Sequence, residues 1–228
     1  MKKILFVVTS HGDLGNTGKK TGLWLSEFAE PYFTFRNRGI EITVASPKGG
    51  KIPLDPGSLE DSHNNPMVKI FLEDDMDILE KTISLDKVDF HQYDAIFYPG
   101  GHGPMWDLAQ SKENAKLLSD FFNHGKIVAA VCHGPAALLG GINDETGEAL
   151  IKNRRLTGFS DTEERAVGLQ EVVPFLLESK IKELGGKYSK ADGDFQPHVV
   201  ADVPIFTGQN PASSILLAER VIDELYSK

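Results

Sequence analysis

The sequence of 228 residues predicts an α/β sandwich with a mostly parallel sheet. Three observations support this fold class. Short apolar runs, typical of strands buried on both faces, recur along the chain, and helical patterns lie between them. No internal repeat or low-complexity segment interrupts the alternation. The strand-like runs occupy residues 4–8, 40–45, 93–98 and 127–131.

Helical patterns follow most of these runs. Residues 22–38 place apolar side chains at three- and four-residue intervals, which indicates a helix with one apolar face. A second helix is predicted over 112–124, and the last one runs from the Asn210-Pro211 turn to about Leu225. The remaining predicted elements are a turn-rich hairpin over 140–153, a short strand over 155–159, a helix over 172–184 and late strands at 199–200 and 204–207.

The chain is expected to form one domain over residues 1–228, with a small insert at about 47–87. Residues 46–66 are rich in Pro and Gly and show no periodicity, whereas 71–83 carry the pattern of one acidic helix. This stretch is therefore predicted to be an insert or cap over the surface rather than a separate domain.

The charge and the cysteine content exclude several classes of function. A net charge of −9 at pH 7 argues against nucleic acid or an anionic membrane as partner. No apolar stretch approaches the ~20 residues that span a bilayer, and the N-terminal apolar run is too short for a signal peptide. The single cysteine excludes an intramolecular disulfide and a multi-thiolate metal site. We expect a soluble, cytoplasmic protein.

The only cysteine, Cys132, follows directly on the strand-like run 127–131 and precedes His133, Gly134 and Pro135. Gly and Pro at these positions suit a sharp turn and the first turn of a helix, so the stretch predicts a nucleophile elbow. A helix N-terminus lowers a thiol pKa, its N–H groups can hold an oxyanion, and His133 can serve as a base. The simpler interpretation is that Cys132 is a small buried apolar residue.

Other polar groups are expected beside the elbow, because ligands bind beyond the carboxyl ends of parallel strands. Four loops should meet there, bringing a base, carboxylates and backbone donors to one cleft. Each group also has a simpler interpretation: an exposed helix carboxylate, a tight turn, or charges at a helix N-terminus. The groups are Glu27, Gly100, Gly101, Cys132, His133, Glu163 and Glu164.

Three loop histidines, His11, His63 and His102, match no metal-ligand spacing. Isolated loop histidines are solvated in most proteins, and we expect the same of these three. No metal and no cofactor are predicted.

Five motifs along the chain resemble those of the ThiJ/PfpI superfamily. They extend from the first strand to the last helix, and their letters are TGLWLSE, PGGHG, AVCHGP, TGFSDTEE and TGQNPASS. The resemblance implies a class I glutamine amidotransferase-like, flavodoxin-type sandwich. TGLWLSE and TGFSDTEE are similar to the branch that contains heat-shock chaperones and glutathione-independent glyoxalase III.

The resemblance also implies roles for individual residues. Cys132 matches the nucleophile, His133 its neighbour in a catalytic triad, and Glu164 the triad carboxylate. Glu27 matches an acidic residue that contacts the cysteine and acts in proton transfer. Glu163 beside Glu164 leaves open which of the two carboxylates faces His133.

Backbone N–H groups of Gly101 and His133 match the oxyanion site of that branch, and Gly100 lies beside them. The implied reaction converts methylglyoxal, a small 2-oxoaldehyde, to D-lactate in defence against carbonyl stress. It needs a low-pKa Cys132 thiolate, which forms a hemithioacetal, and Glu27 or His133 to move a proton between two carbons. A homodimer is also implied.

Alternative functions stay open at this point. Amidotransfer is set aside because the catalytic His-x-Glu near the C-terminus is absent: His198 is followed by Val199 and Val200. The open alternatives are a stress-inducible holding chaperone that binds unfolded client proteins, a cysteine redox sensor, a protein deglycase and a cysteine peptidase. The segment 47–87 argues against the open cleft that a peptidase needs.

Overall fold

The computed structural model describes residues 1–60 and 64–227. A seven-stranded sheet has the order β10-β11-β5-β4-β1-β2-β3, and every neighbouring pair is parallel except β10 and β11 at one edge. The predicted mostly parallel sheet is confirmed. The strands are β1 (Lys3–Val7), β2 (Glu41–Ser46), β3 (Ile83–Ser84), β4 (Ala95–Tyr98), β5 (Ile127–Val131), β6 (Ile142–Asn143), β7 (Glu148–Ala149), β8 (Arg155–Leu156), β9 (Lys187–Tyr188), β10 (Val199–Asp202) and β11 (Ile205–Gly208).

Helices flank the sheet, as the fold class predicts. The first and last of them pack against each other, and the helix that precedes β5 packs against β4 and β5. The α-helices are α1 (Leu25–Arg36), α2 (Pro56–Glu60), α3 (Pro66–Asp74), α4 (Asp77–Glu80), α5 (Lys112–Asn123), α6 (Asp161–Ala166), α7 (Leu177–Glu183) and α8 (Ser214–Tyr226).

The core forms where the central strands are apolar on both faces. All residues of β4 and β5 are buried. Between the sheet and α1, Phe6 stacks on Phe97 at 4.8 Å between ring centroids, and Phe28 meets Phe6 edge-on at 5.1 Å. Such pairs contribute ~0.5–1.5 kcal/mol beyond the burial of their area. They hold α1, and with it Glu27, against the carboxyl end of the sheet.

The segment 47–87 differs in detail from its prediction. Instead of one acidic helix over 71–83, the chain forms α3 and α4. Asn65 caps α3 by accepting hydrogen bonds from the N–H groups of Met67 and Val68, and Pro66 occupies the first turn. The segment also supplies the edge strand β3, which pairs with β2. Its description as an insert rather than a separate domain stays a prediction.

The helix predicted after the elbow is also shorter than expected. A 3₁₀ segment of five residues, Gly134–Leu138, takes its place. The hairpin predicted over 140–153 is present as the antiparallel pair β6 and β7. The helix predicted over 172–184 begins only at Leu177, after Pro174.

Candidate active site

Cys132 lies at a strained point of the backbone between β5 and the 3₁₀ segment. Its φ of 60° is in the left-handed region, which non-glycine residues seldom adopt. The neighbouring chain holds it there: its N–H donates to Gly208 O at 3.0 Å, and its carbonyl accepts from the Phe159 N–H at 2.8 Å. A Cβ at Gly134 would lie 2.2 Å from Tyr98 O, which explains the glycine of the turn. This is the geometry of the predicted nucleophile elbow.

A hydrogen-bonded chain connects Cys132, His133 and Glu164. Cys132 Sγ lies 3.4 Å from His133 Nδ1, and His133 Nε2 lies 2.6 Å from Glu164 Oε2. An ionised carboxylate can only accept, so His133 Nε2 carries the hydrogen of that bond. In the neutral imidazole Nδ1 then presents a lone pair to the sulfur. His133 is thus oriented as a base toward the thiol.

Burial and hydrogen bonding determine the protonation states of His133 and Glu164. Burial lowers the pKa of His133, and the nearby His102 lowers it further, whereas Glu164 raises it. The lowering effects are larger, so the imidazole is neutral at neutral pH. Burial alone would raise the pKa of Glu164, but its hydrogen bonds to and electrostatic interactions with His133 and His102 outweigh burial and hold this pKa well below its usual range. The arrangement is a neutral imidazole on an ionised carboxylate.

Residues of α6 settle which glutamate faces His133. Glu163 precedes Glu164 by one residue, so the two side chains point about 100° apart around the helix. The fully buried Glu163 accepts from the Ser160 N–H, from the Phe195 N–H and from Asn210 Nδ2, each at 2.8 Å. Glu163 therefore ties three segments together, and Glu164 contacts the imidazole.

His102 is a residue that the sequence analysis misplaced. It is buried, not solvated: its Nε2 lies 2.7 Å from Glu164 Oε1, and its ring centroid lies 4.0 Å from that of His133. The available signal was its place in PGGHG at the carboxyl end of β4. His11 lies outside this cluster: its ring stacks on Trp106, and its Nε2 hydrogen-bonds the Asp13 carbonyl. His63 lies outside the described residues.

Within the described ranges, one group could hold a metal ion: ligand atoms of His102, His133 and Glu164 lie within 4.8 Å of one another. The same atoms form the two hydrogen bonds to Glu164. An ion bound there would replace both of them, and with His133 Nε2 on the metal the hydrogen of the neutral imidazole would sit on Nδ1, where no lone pair is left to take the thiol proton. The geometry therefore suits a hydrogen-bonded base better than a metal centre.

Glu27 lies on the other side of the sulfur and is fully buried. Its Oε2 accepts from the Gly100 N–H at 2.7 Å, and its Oε1 is buried without a hydrogen-bond partner among the described residues. Burial raises the pKa of Glu27 to about 8, although the neighbouring Cys132 thiol and the Gly100 N–H oppose the shift. Glu27 is therefore mostly protonated at neutral pH.

The prediction of a low-pKa Cys132 thiol needs correction. Burial raises the pKa of Cys132 well above its ordinary value, and the negative charge of an ionised Glu27 raises it further. The Gly101 N–H has the opposite effect. The five-residue 3₁₀ segment offers little helix dipole to offset this burial. Protonation of Glu27 at neutral pH removes part of the penalty, and the remainder requires a base at the sulfur.

The two glycines predicted at the oxyanion site have different roles in the backbone. The Gly100 N–H is already donated to Glu27, whereas the Gly101 N–H points to the sulfur. A Cβ at Gly100 would lie 2.8 Å from His133 N, so its absence leaves that N–H accessible. At Gly101, φ is 89° and a Cβ would lie 2.2 Å from Gly22 O. The loop can approach the sulfur this closely only with glycine at both positions.

A cavity of about 320 Å³ opens onto Cys132, whose residue surface is only 4% exposed. The Phe159 ring covers His133 at 4.4 Å between centroids. Most of the walls are apolar or aromatic, which keeps water away from the sulfur. The lining consists of Trp24, Glu27, Gly101, His102, Cys132, His133, Phe159, Val167, Phe195, Asn210, Pro211 and Ala212.

A parallel α/β sheet whose strained cysteine is backed by a histidine and a carboxylate defines the class of the protein: a sandwich with a cysteine nucleophile elbow. Comparison with known families agrees with this class. Residues 21–224 match the model of the DJ-1/PfpI family, and the chain belongs to that family. The resemblance found in the sequence is confirmed.

Several relatives align with this chain over nearly its whole length. Glutathione-independent glyoxalase HSP31 of Saccharomyces cerevisiae is 34% identical, over 98% of this chain and 98% of that protein. Glyoxalase 3 of Candida albicans is 32% identical, over 97% and 98%. The crystal structure of glyoxalase III from Candida albicans superposes with a TM-score of 0.91 at 30% identity, over 100% and 98% of the two chains. The 24 kDa Rapid Encystment Protein of Francisella tularensis superposes with a TM-score of 0.94 at 39% identity, over 99% and 100%.

Among the residues that the structure describes, no helix combines the length and the apolar character needed to cross a membrane.

Proposed function

We propose that this protein is a glyoxalase III, a lyase that converts methylglyoxal and related 2-oxoaldehydes to D-lactate and other 2-hydroxy acids without glutathione. The observation that carries the proposal is the pair of groups on either side of Cys132 Sγ. The neutral His133 Nδ1 lies 3.4 Å away, and the protonated Glu27 lies on the other side, at the base of a largely apolar cavity. The glutathione-independent glyoxalases among its relatives support the same reaction.

In the first step, Cys132 Sγ attacks the aldehyde carbon and the S–H proton passes to His133 Nδ1. A base is needed because burial raises the thiol pKa. Glu164 stabilises the imidazolium that forms, since its carboxylate accepts from Nε2 at 2.6 Å. The oxyanion lies toward the N–H groups of Gly101 and His133 and takes up the proton of the Glu27 carboxyl group, which completes the hemithioacetal and leaves Glu27 ionised.

In the second step, a proton moves from the aldehyde carbon to the ketone carbon through an enediol. We assign this transfer to Glu27 because His133 already holds the thiol proton. A carboxyl group with a pKa of about 8 can both accept and return a proton near neutral pH, because its two protonation states are then close in free energy. The aldehyde carbon is thereby oxidised to a thioester and the ketone carbon is reduced to an alcohol.

In the third step, water gives a proton to the Glu27 carboxylate as it attacks the thioester, the C–S bond breaks, and His133 returns its proton to the leaving sulfur. The sum of the steps is the addition of one water to the oxoaldehyde, so no external electron donor or acceptor is consumed. The fixed walls of the cavity let the proton reach one face of the enediol, which is the condition for a single enantiomer.

A small substrate fits this site better than a polypeptide. Cys132 is almost completely buried, at the base of a cavity lined by side chains from several loops. A cysteine peptidase needs an open cleft, so we do not favour that alternative. The holding chaperone, redox sensor and deglycase alternatives, the homodimer and the cytoplasmic location stay predictions.

The test is the loss of methylglyoxal without glutathione, with chiral detection of lactate. Wild-type protein should form D-lactate, and Cys132→Ser should form none while keeping the circular dichroism spectrum of the wild type. Ser46→Ala, a change at a buried hydroxyl of β2 that does not line the cavity and bonds Thr82, controls for general damage and should retain activity. Absence of turnover by wild-type protein whose cysteine still reacts with a thiol probe would refute the proposal.

A further inference from the structure

The cavity above Cys132 is larger than a three-carbon oxoaldehyde requires. Its volume of about 320 Å³ corresponds to roughly ten water molecules at ~30 Å³ each. Methylglyoxal would occupy only the part next to the sulfur, where Glu27, Gly101 and His133 supply all the polar groups that the reaction uses. The remaining space has to be filled either by water or by a side chain of the substrate.

Most of the walls of that remaining space are apolar. Trp24, Phe159 and Phe195 contribute aromatic rings, with the centroids of Phe159 and Phe195 6.2 Å apart. Val167 completes the rim. Water gains little from such walls, whereas an apolar side chain of a ligand is stabilised by leaving solvent for them.

Phe195 has a strained backbone at the mouth of the cavity. The residue is 47% exposed there, and its backbone φ of 61° lies in the left-handed region. A non-glycine residue at positive φ is unfavourable without a compensating role. The position of the ring at the rim supplies such a role.

Glu163 holds Phe195 in that strained conformation. The Phe195 N–H donates to the buried Oε1 of Glu163 at 2.8 Å. The same oxygen accepts from Asn210 Nδ2, and Asn210 also donates to the Gln196 carbonyl at 2.7 Å. The two sides of the rim, the chain at Phe195 and the chain at Asn210, are thus bound to one carboxylate.

From this arrangement we infer that the cavity selects 2-oxoaldehydes with a bulky apolar side chain over methylglyoxal. Phe195 is the residue that determines this preference, and Glu163 is the positioning residue that holds it. The inference rests on the proposed glyoxalase function and deepens it. The chemistry at the sulfur is unchanged, so phenylglyoxal plus one water gives mandelate, with the phenyl group retained.

Steady-state kinetics on phenylglyoxal and methylglyoxal test the inference. Wild-type protein should show a kcat/KM at least ~10-fold higher for phenylglyoxal, the scale on which apolar pockets discriminate between side chains. Phe195→Ala should raise the KM for phenylglyoxal ~5- to 10-fold with kcat nearly unchanged, because the wall binds ground state and transition state alike. Its kcat/KM for methylglyoxal should fall by a smaller factor, because the smaller side chain contacts less of the wall.

Two further variants separate this role from damage to the fold. Tyr226→Ala removes another half-exposed aromatic ring, on α8 and outside the cavity lining, and should change neither substrate. Glu163→Gln should reproduce the phenylglyoxal-specific rise in KM if the carboxylate positions Phe195. Equal losses on both substrates in Phe195→Ala, or a wild-type preference for methylglyoxal, would overturn the inference while leaving the glyoxalase function in place. Consumption of neither substrate would instead refute the proposed function.

Discussion

Glu27→Gln removes a buried carboxyl group whose protonation depends on the fold, and its effect on stability should depend on pH. The pKa of Glu27 is about 8 in the folded chain against an ordinary value of 4.5, chiefly because of burial. At ~1.4 kcal/mol per pH unit, this difference corresponds to ~5 kcal/mol. The folded chain holds the proton more tightly, so the contribution of Glu27 to stability is fully present below about pH 4.5 and is lost as the pH rises through about 8.

Glutamine does not titrate, so the two proteins should respond differently to pH. Between pH 5 and pH 7.5, the free energy of unfolding of wild type should fall relative to Glu27→Gln by ~3 kcal/mol. The Cys132 thiol stays protonated over this range, since its pKa is raised. Urea unfolding at several pH values, followed by circular dichroism, measures the difference.

The matched control is Glu73→Gln, which changes the same side chain at an exposed position of α3. Its unfolding free energy should follow the wild-type curve in parallel. If the curve of Glu27→Gln also runs parallel to wild type, within ~0.5 kcal/mol, Glu27 is ionised in the folded protein at neutral pH. The role assigned to it in proton transfer would then be wrong.

Three other predictions concern the reaction. The kcat/KM of wild type should fall as the pH rises through about 8, because Glu27 can give a proton to the oxyanion only when it is protonated, and this limb should disappear in Glu27→Gln; a pH profile shared by both proteins would contradict the assignment. Glu164→Gln should lower kcat ~100-fold or more with the fold retained, since the imidazolium of His133 loses its counter-charge, whereas Glu163→Gln should change kcat little; the reverse order in kinetic assays would exchange their roles. Gly101→Ala should abolish turnover and lower the free energy of unfolding by ~1–3 kcal/mol, because a Cβ would lie 2.2 Å from Gly22 O, and unchanged stability in urea unfolding would show that the loop can move aside.

The corrected thiol pKa changes how the nucleophile is activated. A cysteine at a long helix N-terminus can be ionised before the substrate arrives. Here, burial and the nearby carboxyl group favour the neutral thiol, and His133 removes the proton during the attack. A neutral thiol is also less susceptible to oxidation than a thiolate, since the thiolate is the reactive form.

Local sequence determined the elements that a short stretch specifies by itself. Five consecutive apolar residues before Cys132 are enough to predict the buried strand β5, because a strand buried on both faces needs apolar side chains at every position. Gly134 and Pro135 are enough to predict the turn that follows. The elbow and its nucleophile were therefore readable from about ten residues. The two-residue strand β3 was missed because so short a run carries no periodicity.

Tertiary structure alone decided the properties that depend on several segments at once. Glu163 and Glu164 are chemically identical neighbours, and only the packing of α6 against Phe195 and His133 shows which one holds the loop and which one meets the imidazole. The burial of His102 and the raised pKa of the Cys132 thiol are likewise sums over neighbours from distant parts of the chain. Desolvation has no signature in local sequence, because it is set by everything that the fold places around a group.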